Sequence, residues 1–74
     1  MKVWTLQRES EGREYLTFHG VFATVEGCMQ EIDERGYGLF GIEVTEKTDG
    51  YMEVETNSGR FTRTFILIEV ELGK

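Results

Sequence analysis

At 74 residues, with 39% hydrophobic and 12% aromatic content, the chain is expected to form one domain, residues 1–74, which excludes a second core and an intrinsically disordered polymer. Fourteen acidic against eight basic residues leave a net charge of −6, which repels a phosphate backbone, argues against direct nucleic-acid binding and either keeps a small protein soluble or permits a basic partner surface. A single cysteine and a single histidine exclude an intrachain disulfide and a zinc ligand set.

MKVWTLQRES passes straight into alternating residues, with no signal-type apolar run and no stretch approaching the ~20 apolar residues of a membrane span. The expectation is a cytoplasmic protein with no membrane contact. KVWTLQR (2–8) mixes β-branched, aromatic and polar residues and reads as a strand. ESEGRE (9–14) is a polar turn, and EYLTFHGVF (14–22), bent at Gly20, returns as the second strand of a hairpin. In TVEGCMQEIDERG, Val25, Cys28, Met29 and Ile32 fall at i, i+3, i+4 and i+7, the stripe of an amphipathic helix. Thr24 suits the N-cap, Glu26 the first turn and Gly36 the stop. Gly27 marks either a close approach to the sheet or a tolerated weakness.

YGLFG (37–41) reads as a flexible link. IEVTEK, YMEVET and RFTRTFILIEVEL then alternate as three strands joined by turns carrying TDG and NSG. The order β-β-α-β-β-β predicts an α+β fold, a five-stranded antiparallel sheet with one helix on one face.

Turn length sets which residues share a face. A three-residue loop, Thr48-Asp49-Gly50 with Gly50 left-handed, sets Val44 against Val54 and Ile42 against Thr56; a two-residue loop would set Val44 against Glu55 and is rejected. The same loop built from Asn57, Ser58 and Gly59 sets Glu53 against Arg63 and Met52 against Thr64. The predicted inner face is Ile42, Val44, Met52, Val54, Ile66, Ile68, Val70 and Leu72. On the outer face stand Tyr51, Phe61, Phe65 and Leu67 beside Glu43, Glu53, Glu55, Arg63, Glu69 and Glu71. An apolar patch with a charged rim is the mark of an interface, so Tyr51, Glu53, Glu55, Phe61, Arg63, Phe65 and Leu67 are the candidate partner-binding residues. Two ways of closing that face stay open. Either another molecule covers it, a partner protein or the second half of a homodimer, or the first hairpin curls over it or the last strand bulges near Phe65.

No catalytic residue, cofactor or metal is expected. Cys28 lies on the helix stripe and reads as a small core side chain, and His19 reads as a surface or edge residue with no nucleophile to serve. Glu53 with Glu55, and Glu69 with Glu71, project together but lack the pocket that shifts a carboxylate's pKa. Together with Glu26, Glu31, Asp33 and Glu34 on the helix they form either a solvated surface or an imitation of a phosphate backbone.

The order of elements, the MK start leading into an alternating strand, the helix entry FATVEG and the TDGY turn resemble small phage-encoded anti-CRISPR proteins, in particular a type I-F inhibitor family. The resemblance implies a non-catalytic inhibitor that docks on the DNA-surveillance complex in the cytoplasm of a bacterial host cell. The chain is acidic where that family's nucleic-acid-facing lysines would be expected, so no family contact residue is carried over. The rival readings are a homo-oligomeric or scaffold module and a small-ligand sequestering protein using the YGLFG loop.

Overall fold

A computed structural model describes residues 1–9, 16–59 and 62–73. Five strands and one helix follow the predicted order: β1 (Lys2–Glu9), β2 (Leu16–Phe22), α1 (Val25–Glu34), β3 (Gly41–Thr48), β4 (Tyr51–Asn57) and β5 (Thr62–Glu71). The fold is α+β, with one five-stranded antiparallel sheet in the order β2-β1-β5-β4-β3. β1 therefore docks beside β5, and the first hairpin widens the sheet instead of folding over it.

The helix begins where Thr24, in extended conformation, turns its Oγ1 to accept the Gly27 N–H at 3.1 Å. It ends in a Schellman motif: the Tyr37 N–H reaches the Ile32 carbonyl and the Gly36 N–H that of Asp33, with Gly36 at φ +77°. That geometry swings Tyr37 back onto Ile32, so both join the core and YGLFG opens with a packed residue. Cys28 and Ile32 are fully buried, with Val25 and Met29 packed beside them, which is the predicted stripe.

Both hairpin turns differ from expectation, with opposite consequences. Thr48 pairs with Tyr51, so the first turn has two central residues, the loop rejected on sequence grounds. Val44 still faces Val54, and Ile42 still faces Thr56, because the register slips at Thr45. The bulge thus lies inside β3 instead of at Gly50, and it restores the same faces. After β4, Asn57 pairs with Thr62, so the connection runs over 58–61. Glu53 then opposes Ile66 instead of Arg63, a slip of three residues. An odd slip exchanges the two faces of a strand.

The core under the helix is accordingly Leu6, Met52, Val54, Phe65 and Leu67 against Cys28 and Ile32. Phe65 and Leu67, expected to point outward, are 0% exposed. Ile66, Ile68 and Val70, expected beneath the helix, stand on the opposite face, and Leu72 lies beyond the end of β5 and is exposed. Arg63, Glu69 and Glu71 likewise belong to the helix side: Arg63 stacks over Tyr37, Glu69 opposes Trp4, and Glu71 opposes Lys2 and accepts from the Met1 ammonium at 2.7 Å. Phe61 lies outside the described residues. No described helix is long and apolar enough to cross a membrane.

Candidate functional site

With α1 on one side, the other side of the sheet carries no helix or strand among the described residues. Its side chains follow from the strand parity and the pairing. β2 contributes Leu16, Phe18 and Val21, β1 contributes Val3, Thr5 and Gln7, and β5 contributes Ile66, Ile68 and Val70. Val3 and Ile66 are buried, while Phe18 is 61%, Val21 52% and Leu16 48% exposed. Three adjacent strands thus present an apolar band on β2 and β5 that Val3 joins and that Thr5 and Gln7 interrupt, with Gln7 Nε2 donating to Thr5 Oγ1 at 2.9 Å.

The remaining two strands present carboxylates. Glu43 stands directly opposite Glu55, and Glu46 directly opposite Glu53, so β3 and β4 carry two like-charge pairs on this face. Opposed like charges destabilise a ladder. Glu9, opposite Leu16, adds a fifth carboxylate at the end of β1. Tyr51 shares this face and donates its hydroxyl to Glu53 Oε2 at 3.0 Å. Its pKa is raised by partial burial first, then by that hydrogen bond and by the charges of Glu53, Glu46 and Glu9.

The basic residues are elsewhere. Lys2 pairs with Glu71 and Lys47 with Met52, both on the helix side, and Arg35 caps α1. Arg8 and Arg63 lie over the Tyr37 ring at 5.6 and 5.0 Å from its centroid, and Arg8 Nη1 donates to the Tyr37 hydroxyl at 3.3 Å. Every described Lys and Arg is therefore on the helix side, and the open face holds carboxylates, apolar groups and the neutral polar Thr5, Gln7 and Thr64 without a described cation. Of the predicted partner-binding residues, the structure brings Tyr51, Glu53 and Glu55 together on the open face and places Arg63, Phe65 and Leu67 behind it.

Leu16, Phe18 and Val21 were missed as surface residues. Leu16 and Phe18 alternate with Thr17 and His19 in sequence, but the register slips where Leu6 opposes Gly20 and Gln7 opposes Phe18, leaving His19 as an extra residue. The slip shifts Val21 onto the face of Phe18, a change of period that hides the row.

The groups with chemical potential sit on the helix side. Burial pushes the Cys28 thiol up to about 11, away from thiolate chemistry. His19 packs against Tyr37 and Phe65 with ring centroids 5.8 and 5.6 Å away. Its Nε2 is buried and makes no hydrogen bond among the described residues. Burial, then Arg8 and Arg35, lower its pKa, with Glu31 opposing them. No cluster of three His, Cys, Asp or Glu suited to a metal occurs among the described residues. A cleft of about 410 Å³ opens between the start of α1 and the β3–β4 turn, with Trp4, Val25, Lys47 and Met52 in its wall. A second, of about 300 Å³, lies beside Phe40, Ile42 and Thr56 at the end of the YGLFG segment. Comparison of the chain with protein-family models, curated proteins and solved structures finds no match.

Proposed function

We propose that this protein is a non-catalytic interaction module that acts by laying the open face of its sheet on a partner protein with a basic surface. The segregation of charge carries this reading: five carboxylates and an apolar band share a face on which no described Lys or Arg stands. Such a face loses little by desolvating its apolar half and gains most from a partner that supplies cations to the acidic half. The partner suggested by the resemblance in element order is a CRISPR-type defence complex of a bacterial host, which the protein would inhibit by contact. The carboxylate columns would then stand where a basic groove otherwise holds phosphates.

The experiment is binding of the purified protein to an isolated type I-F surveillance complex, with Phe18→Ser and Glu53→Lys/Glu55→Lys on the open face and Glu34→Lys on the helix as control. Loss of binding in the face variants alone supports the reading. Binding that survives them moves the interface elsewhere, and no binding by the wild type removes the defence complex as the partner.

A further inference from the structure

The open face is divided lengthwise, and its division selects the shape of what fits. Apolar side chains run along β2 and β5, with Val3, Thr5 and Gln7 of β1 between them, and carboxylate columns run along β4 and β3, so the seam between them follows the strands. We propose, resting on the interaction reading above, that the face receives a basic amphipathic α-helix of the partner. The helix would lie along the strands, its apolar stripe over Phe18, Val21 and Ile68 and its Lys or Arg flank over Glu53 and Glu55.

Backbone chemistry favours a helix over an extended segment. The ladder hydrogen bonds within the sheet leave nothing on its face to pair a main chain, and an extended strand laid there would bury unsatisfied N–H and C=O groups. A helix brings its own hydrogen bonds and asks only for side-chain contact. Width separates a helix from a second sheet. Three strands span two inter-strand spacings, ~10 Å, which matches the ~10–12 Å diameter of one helix. A second sheet as broad as this one would also cover the β3 and β4 carboxylates. Length agrees: the eight residues of β1 reach ~26 Å, the length of a helix of ~17 residues.

Charge decides between a foreign helix and a second copy of this chain. Face-to-face self-association would bring the same carboxylates and no described cation, leaving Glu43–Glu55 and Glu46–Glu53 repelling as before. A helix with one basic flank relieves both pairs while its stripe covers the apolar columns. The handed order, apolar on the β2 side and acidic on the β3 side, also fixes the direction of the occupant's polarity about its axis.

The test uses the full chain and a probe peptide of ~18 residues with Leu at i, i+3, i+4 and i+7 and Lys and Arg along one flank. Its partner probe has the same Leu pattern with Glu in place of each Lys and Arg. Calorimetry, helix induction by circular dichroism and amide-shift mapping are read together. The basic peptide is expected to bind with gain of helix, at least about tenfold more tightly than the acidic one, with shifts at Phe18, Val21 and Ile68. Glu53→Gln/Glu55→Gln is expected to weaken it and flatten its salt dependence, and Glu34→Gln to leave it unchanged. Equal binding of both peptides, shifts centred on α1, or no binding would overturn the proposal. So would sedimentation as a dimer that Phe18→Ser makes monomeric. If face variants abolish docking to the surveillance complex while the peptide neither binds nor competes, the helical occupant falls and the interaction face stands. If docking survives the face variants, both fall.

Discussion

Glu55 faces Glu43 directly across the β3–β4 ladder, and both side chains are exposed. Opposed side chains in such a ladder stand ~5 Å apart, where two unit charges in water repel by ~0.8 kcal/mol. Glu55→Lys turns the repulsion into attraction, a swing of ~1.6 kcal/mol before screening. A Debye length of ~8 Å at physiological salt reduces it to ~1 kcal/mol, and the side-chain entropy of an exposed pair pulls it lower still. Glu55→Gln removes the repulsion without the attraction and is expected to give about half of that gain. Urea unfolding at ~20 mM and ~1 M NaCl is the assay, because at the higher salt the Debye length falls to ~3 Å and the effect should vanish. At low salt the midpoints should rank Lys above Gln above wild type and then converge. A Glu55→Lys protein no more stable than wild type at low salt, or equally stabilised at both, would refute the electrostatic account. The substitution should also weaken partner docking, so stability and binding are expected to move in opposite directions.

Other substitutions separate the two sides of the sheet. Phe65→Ala should cost ~3–5 kcal/mol and Ile32→Ala ~2–5 kcal/mol, large fractions of the ~4–11 kcal/mol expected for a domain of this length. Phe18→Ala should stay within ~1 kcal/mol; denaturant midpoints check all three, and a Phe18 effect as large as that of Phe65 would mean that the open face is not open. Gly27→Ala should raise stability by up to ~1 kcal/mol, since a Cβ there meets Phe22 Cβ at 3.4 Å and Thr24 Oγ1 at 3.5 Å, ordinary contacts; a lowered midpoint would show that the helix entry cannot accept it. His19 has its pKa lowered by burial, then by Arg8 and Arg35. Below its ordinary value of 6.5 the unfolded chain takes up a proton that the folded one resists, so this contribution is present above that pH and is lost as the pH falls. Wild type should therefore lose more stability between pH 7.5 and 5 than His19→Gln, and equal slopes would contradict this.

Elements whose pattern had one solution were legible. The stripe of α1, its Thr24 cap and its Gly36 stop each satisfy a local rule with no competitor, and all three are present. β5 was legible as a strand but not as a surface. FILI is apolar at every position, so either parity satisfies burial, and the face of Phe65 is decided by the length of the turn before it. One residue more in that turn than expected, with the pairing resuming at Thr62, exchanged Phe65 and Leu67 with Ile66 and Ile68. Of the carboxylates expected outside, Glu53 and Glu55 kept their face on β4 and Glu43 kept its face on β3, where an unforeseen bulge at Thr45 and a shorter turn compensate each other, while Glu69 and Glu71 changed sides with the rest of β5. Val21 was hidden for the converse reason, a bulge at His19 that alternation alone does not report.

Those two bulges lie on the two outermost strands, β2 and β3. An unbroken outer strand is a template for the next chain, and sheets that end in one can grow end to end into filaments. A bulge kinks the free row of N–H and C=O groups and increases the local twist, so an incoming strand cannot stay in register along it. At the β3 margin Glu43, Glu46 and Lys47 add charge to the kink. Both margins thus limit the growth of the sheet to five strands. A smooth-edged sheet of the same composition would be the more prone to polymerise.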